Sequence, residues 1–284
     1  MSKKRFEDKV VLITGASGGI GKATATDFAK EGAKLALVSR SKEKLDKVAQ
    51  EIKQYTIEVI TVPTDVSNQD DVNSMVSQVI NRFGSIDYLF NNAGSSYVGG
   101  IEKSDFVENV KNMFEVDYLG TVYTTKAVLP HMRNQGSGHI MNMSSVVGRK
   151  AFPKFGGYSS IMHALSGFSD SLRQELRGTG INVSVIHPAL TQTNLLDDIK
   201  SEDMPPPFKN MTPMKVEKVS KAVLDGFHYN QTRIVVPFQP KLLLFWDAVS
   251  PAIGDLFVRL FSKRLFAQIL GMYRGSLYQH DTAV

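Results

Sequence analysis

Eight residues near the N-terminus, Thr14-Gly15-Ala16-Ser17-Gly18-Gly19-Ile20-Gly21, hold four glycines, and that density has a chemical use. Without a Cβ the backbone turns sharply and comes close to a bulky anion. A helix opening in such a loop also offers that anion unpaired N–H groups and the positive end of its dipole. A pyrophosphate is the group such a loop takes, with Gly15, Ser17, Gly19, Ile20 and Gly21 as its candidate contacts. An ordinary turn is the competing reading of the glycines alone. Position weighs against it, because an apolar strand precedes the loop and an apolar-periodic helix follows.

At the end of the next apolar run stand Ser39 and Arg40. A carboxylate there would bond the ribose 2′-hydroxyl of NAD and repel a 2′-phosphate. A guanidinium instead clamps that phosphate, with Ser39 and Ser17 as neutral donors, so NADP is favoured over NAD. A solvated surface arginine is the alternative. Asp65 and Val66 close a third run, where Asp65 either accepts from an adenine amino group or, with Ser67 and Asn68 after it, makes an Asx turn. The chain has no cysteine, which excludes disulfides, thiolate metal sites and cysteine nucleophiles. His163 and His187 fall in no triad or metal-ligand spacing and read as packing or surface residues, so no metal is expected.

What must position these groups is an alternation of strands and helices. Short apolar runs at 9–14, 34–38, 58–62, 86–90, 139–143, 182–186 and 233–236 have the length of buried strands. Helices are predicted at 20–31, 42–54, 69–83, along the stretch that reaches 132, and at 158–177. Strand, helix and strand in succession imply right-handed crossovers and a doubly wound parallel sheet, the Rossmann fold of the α/β class. At 284 residues and 42% hydrophobic content, one such domain is expected over 1–238, with a C-terminal helical extension over 239–284. The formal net charge of +5 is scattered among acids rather than gathered in a block. That argues against a nucleic-acid partner and suits an anionic cofactor or a membrane surface. No long apolar segment follows Met1-Ser2-Lys3-Lys4-Arg5, so no secretory signal is expected and the cytoplasm is the default location.

The glycine loop, the Asp65-Val66 pair, Asn91-Asn92-Ala93-Gly94, Ser144-Ser145 and Tyr158 opening a helix together resemble the short-chain dehydrogenase/reductase family, over roughly residues 6–236. The resemblance implies that Asn91, Ala93 and Gly94 end a strand beside the cofactor. It implies that Tyr158 exchanges a proton with the substrate oxygen and that Ser145 holds that oxygen. Pro188 and Thr193 then belong to the segment over the nicotinamide, with Ala189 where the family has glycine. It also implies a lysine one helical turn after the tyrosine and an asparagine on an earlier helix, and here this sequence departs. Met162 takes the lysine place, since residues i and i+4 share a helix face, and Asp117 takes the asparagine place. Neither Leu165 nor Ser166 restores a cation, and Lys150 and Lys154 precede Tyr158 in a loop. An ionised Asp117 would raise the phenol pKa. Alcohol oxidation needs a phenolate, whereas reduction needs the neutral phenol, the form that prevails near a reference pKa of about 10. Carbonyl reduction by NADPH is therefore the expected direction.

Residues 197–213 are polar and proline-rich and read as a mobile loop on the substrate side, with Met204, Phe208 and Met211 giving an apolar mouth. Residues 240–271 are strongly apolar but interrupted by Asp247, Asp255, Arg259, Lys263 and Arg264, short of the roughly 20 apolar residues of a spanning helix. One or two amphipathic basic helices are expected, lying on a membrane surface, on a partner subunit, over the substrate pocket or on their own domain. A lipophilic ketone or acyl-type substrate goes with the membrane alternative. The resemblance implies a homodimer or homotetramer. Three functions compete: an NADPH-dependent carbonyl reductase; an NADP-binding protein that kept the fold without the chemistry, as a sensor, partner subunit or engineered variant; and a lyase or isomerase using Asp117 as base.

Overall fold

The β-branched run Val10–Thr14 is strand β1, buried along its whole length, and it is the centre of the architecture. A computed structural model describes residues 4–56, 58–196, 199, 203–209 and 211–261. After β1 come α1 (Gly19–Lys30), β2 (Lys34–Ser39), α2 (Lys42–Ile52), β3 (Val59–Pro63), α3 (Gln69–Phe83) and β4 (Tyr88–Asn91). Then follow α4 (Phe106–Met113), a π-helical turn (Phe114–Leu119), α5 (Gly120–Gln135), β5 (Gly138–Met143), a 3-10 turn (Val146–Gly148) and α6 (Gly156–Glu175). The chain continues through β6 (Ile181–Pro188), a 3-10 turn (Asn194–Leu196), α7 (Pro206–Lys209), α8 (Val216–His228), β7 (Arg233–Val236), α9 (Pro240–Val249) and α10 (Pro251–Phe261).

The seven strands form one parallel sheet in the order β3-β2-β1-β4-β5-β6-β7. Each crossover helix covers a face of the sheet, so the strands are buried on both sides and read as continuous apolar runs. One face packs on α1, α2 and α8 through Phe28, Leu45 and Phe227; the other packs on α3, α5 and α6 through Met75, Val128 and Leu172. A third apolar cluster joins Met113, Met162, Phe208, Leu243 and Val258. It brings α9 and α10 against the rest of the domain.

Winding reverses between β1 and β4, and ligands of open α/β sheets bind at such a point, outside the carboxyl ends of the strands. Here the two strand ends are stitched together. Thr14 Oγ1 accepts from the backbone N–H groups of Asn92 and Ala93 at 2.9 and 3.0 Å.

Candidate active site

A cleft of about 1980 Å³, counting its open side, lies over this reversal point. Gly15, Ser17, Gly19 and Ile20 line it from the loop after β1, Ser39 and Arg40 from the end of β2, and Asp65 and Val66 after β3. Ala93, Gly94 and Thr193 close the far side. Gly15 and Gly19 take φ of +66° and +51°, the left-handed region that favours glycine. Gly21 is buried beneath the loop. A Cβ there would stand 2.2 Å from the Gly15 carbonyl oxygen, so the bare backbone lets α1 lean onto the strand end.

The cleft has unmet hydrogen-bonding capacity. Ser41 and Asn68 cap α2 and α3 with their side chains, whereas α1 opens on Gly18 with no side-chain cap and no acid in its first turn. Its leading amides are left to an outside acceptor. Ser39 Oγ is buried without a partner among the described residues, and Arg40 is exposed beside it. Those donors suit the phosphates of a dinucleotide. Asp65 turns back on Ser67, accepting from its hydroxyl and N–H at 2.6 and 3.0 Å. The Ser67 hydroxyl is the main influence holding its carboxyl below the ordinary value, with a smaller contribution from Arg40.

One expected contact turns elsewhere. The Asn91 side chain faces the core, donating to Thr125 and Asn142 at 3.1 and 2.9 Å and accepting from Thr124 at 2.6 Å. Asn92 faces the cleft instead, and its amide donates to the Thr14 and Gly15 carbonyls at 3.0 and 3.3 Å. Sequence reasoning singles out neither Thr14 nor Asn92 for this work. Their signal is a strand-end threonine and an amide at the two strands that must meet.

A second, apolar cleft opens from the first, and Ile20, Ala93, Gly94, Ser95 and Thr193 line both. Ser145, Tyr158, Met162, Asp117 and Pro188 converge here, walled by Phe155, Met204 and Phe208. Ser145 begins the 3-10 turn after β5. Its Oγ donates to the Pro188 carbonyl at 3.3 Å and accepts from the Val147 N–H at 3.3 Å, and it shares the cleft lining with Tyr158. Burial first, and then the charge of Asp117, raise the Tyr158 phenol well above its ordinary value, against a lowering by Ser145. The phenol is thus a proton donor at neutral pH.

Asp117 owes its place to the π-helical turn, whose extra residue re-aims the side chains of the helix it interrupts. Its carboxyl is 2% exposed and accepts from the Ser95 N–H and hydroxyl at 2.8 and 3.3 Å. Burial pushes its pKa up to about 8, against those two bonds. Met162 lies one turn beyond Tyr158 and is buried, and its carbonyl accepts from Ser144 and Ser166 at 3.0 and 2.9 Å. No Lys, Arg or His is among the described residues lining this cleft. Lys150 is drawn away to Asp247 and Asp255, at 2.8 and 2.7 Å.

Of the two histidines, His163 is exposed. His187 is buried, and its Nδ1 donates to the Ser145 carbonyl at 3.1 Å. Burial holds its imidazole down to about 4.

Where it is described, the stretch 197–213 is packed rather than the mobile loop expected. Met204 and Phe208 are buried, and the Phe208 ring lies 4.9 and 5.0 Å from those of Phe152 and Phe155. Three aromatic rings hold it down. The tail helices lie on their own domain and wall the apolar cluster through Leu243 and Val258; Lys263 and Arg264 lie outside the described residues. Among the described residues no helix is long and apolar enough to cross a membrane, and no acidic or histidine cluster could hold a metal ion.

Comparison with known proteins adds three likenesses and a family. The family described as short chain dehydrogenase matches residues 9–204. An uncharacterised oxidoreductase of Staphylococcus saprophyticus is 38% identical over 200 residues, 70% of this chain and 80% of that protein. The putative oxidoreductase SadH of Mycobacterium tuberculosis is 31% identical over 264 residues, 90% of this chain and 94% of its own. Among solved structures, a short chain dehydrogenase/reductase from Burkholderia phymatum in complex with NAD is similar with a TM-score of 0.75 and 25% identity, covering 96% of this chain and 98% of that one.

Proposed function

The chain belongs to the short-chain dehydrogenase/reductase family and is an oxidoreductase of that type, and from that premise we propose that it is an NADPH-dependent carbonyl reductase acting on a lipophilic ketone or acyl-type substrate. The observation that carries this reading is the chemistry of the apolar cleft. A protonated phenol stands with Ser145 in the cleft lining, and no Lys, Arg or His is among the described lining residues to stabilise a phenolate. Such a site gives a proton far more readily than it takes one.

Gly15, Ser17, Gly19 and Ile20 would hold the pyrophosphate, with Gly21 supporting the loop from below. Arg40, Ser39 and Ser17 would hold the 2′-phosphate, and Asp65 and Val66 the adenine. Ala93, Gly94, Pro188 and Thr193 border the nicotinamide side, while Asn91 acts from the core. Bound NADPH supplies the hydride. Tyr158 gives its phenolic proton to the substrate oxygen, which Ser145 holds, and the high proton affinity of the phenolate left behind favours its reprotonation. Met162 and Asp117 stand where the family has lysine and asparagine, which slows the reaction and biases it to reduction. What supports NADP over NAD is Arg40 at the end of β2, where no acid stands.

In this reading residues 1–238 are the NADP-binding catalytic domain and 239–284 its helical extension. The protein works in the cytoplasm as a homodimer or homotetramer, with its tail against a membrane surface. That no cation lines the cleft among the described residues favours one further reading, a protein that binds NADP and turns nothing over.

Nicotinamide fluorescence titration followed by turnover on a panel of apolar ketones and the matching alcohols separates the two. The reductase binds NADPH more tightly than NADH and reduces at least one ketone faster than it oxidises the alcohol. Tight NADPH binding with no turnover supports the second reading, and no binding of either nucleotide defeats both.

A further inference from the structure

Helix α9 carries apolar side chains on two opposite sides. Inward, Leu243 is buried in the cluster that includes Met162 and Phe208, and Asp247 pairs with Lys150. Outward, Phe238, Leu242, Phe245, Trp246 and Val249 are all exposed, from 38% for Trp246 to 72% for Phe238. Phe238 precedes the helix, and at about 100° per residue the four positions within α9 fall within an arc of roughly 100°. Scattered exposed apolar residues need no explanation, whereas a continuous aromatic stripe marks a contact surface.

The charges around the stripe are sorted. Both acids of the described tail, Asp247 and Asp255, are held by Lys150. Lys241 stands at the rim, its ammonium 5.2 Å from the centre of the Phe238 ring, and Arg259 is exposed on α10. Aromatic rings bordered by cations suit the headgroup layer of an anionic bilayer, with rings at the acyl boundary and ammonium groups among the phosphates. Pairing two copies of this face across a two-fold axis would bring like-charged rims together.

We infer that the outer face of residues 238–249 docks the protein on an anionic phospholipid bilayer, so that one helix is both a membrane contact and a packing partner of the apolar cluster that holds Met162 and Phe208. This rests on the membrane-surface part of the function proposed above and on none of its redox chemistry.

Trp246 is the only tryptophan of the chain, so the full-length protein reports on this face without a label. Vesicles of phosphatidylglycerol and phosphatidylcholine should shift its emission to the blue and expose it to quenching by brominated acyl chains. Phosphatidylcholine vesicles alone should bind about tenfold more weakly. Leu242→Ser combined with Phe245→Ser should lower partitioning into the mixed vesicles by about tenfold or more, with NADPH binding unchanged. Unshifted emission and no bromine quenching in the wild-type protein overturn the inference. So does a Trp246 already shielded from acrylamide without lipid: at every protein concentration its own chain covers the face, and at high concentration only, a second copy does. Turnover enters none of these readouts, so failure here leaves the reductase reading intact, and failure of that reading leaves this one to stand or fall on the vesicles.

Discussion

His187 holds Ser145 from behind: its Nδ1 donates to the Ser145 carbonyl at 3.1 Å, while the carbonyl of the next residue, Pro188, accepts from Ser145 Oγ at 3.3 Å. The end of β6 thus fixes both the backbone and the hydroxyl of the serine. His187→Leu removes one of the two donors to that carbonyl and leaves it the Gly148 N–H at 2.9 Å, at a cost of about 1 kcal/mol, and should lower kcat about tenfold with KM little changed. His187→Asn, which keeps a donor, should recover part of the loss. Equal activity in all three proteins would show that Ser145 needs no such support.

The same histidine shapes acid stability. Its unfolded pKa is about 6.5, and burial holds the folded one down to about 4. Between those values the unfolded chain takes up a proton that the folded chain refuses, so stability falls as pH drops through this window. His187→Leu should show a shallower fall in Tm from pH 6.5 to 4. His139, also lowered to about 4 by burial, retains part of the slope.

Asp117 has the opposite sign. Its carboxyl ionises near 3.9 when unfolded and at about 8 when folded, so the native state loses stability as pH rises between the two. Asp117→Asn should therefore raise Tm by an amount that grows from pH 4 to 8 and then levels off, reaching on the order of 10 °C. A gain of the same size at pH 5 and pH 8 would contradict a buried, protonated carboxyl.

If the missing cation limits turnover, Met162→Lys with Asp117→Asn should raise NADPH-dependent ketone reduction about tenfold. Met162→Leu, which changes shape and not charge, should leave it unchanged. An unaltered rate in the double variant, with NADPH still bound, refutes the account of Tyr158 as an unassisted acid.

Arg40→Glu places a carboxylate at the end of β2. Affinity for NADPH should fall about 100-fold, with NADH affected far less, both read by nicotinamide fluorescence. Parallel losses for the two nucleotides would make Arg40 a bystander.

Gly21→Ala would set a methyl group 2.2 Å from the Gly15 carbonyl oxygen and 2.7 Å from the Asn92 amide. Thermal unfolding should report a loss of about 1–3 kcal/mol, with NADPH binding weakened in step.

Much of the fold is legible in the amino-acid sequence. The span of α3 and that of β7 are as the sequence predicts, because Asn68 and Gly84 punctuate the helix and Arg233–Val236 is a short apolar run between polar segments. The glycine loop was legible because strand, loop and helix stand in order. Three features were not. Asn91 and Asn92 are identical in type, and only the packing of Thr124 and Asn142 around the strand end decides which of them faces the core. The π-helical turn leaves no trace in apolar spacing, so Asp117 could be placed on a helix but not seen to be buried. Within α9, Leu242 and Leu243 are neighbours of the same kind, one exposed and one buried. Their sides are settled by the partnership of Asp247 with Lys150, 97 positions earlier in the chain.

That partnership ties two ends of the molecule to one short string of backbone. Lys150 follows Ser145 by five residues, through a single 3-10 turn whose carbonyls and amides bond to one another. A displacement of the tail would be passed, within that turn, to Ser145, the serine proposed to hold the substrate oxygen. A protein engineer who swaps the tail therefore also removes the anchorage of Lys150, five residues from Ser145.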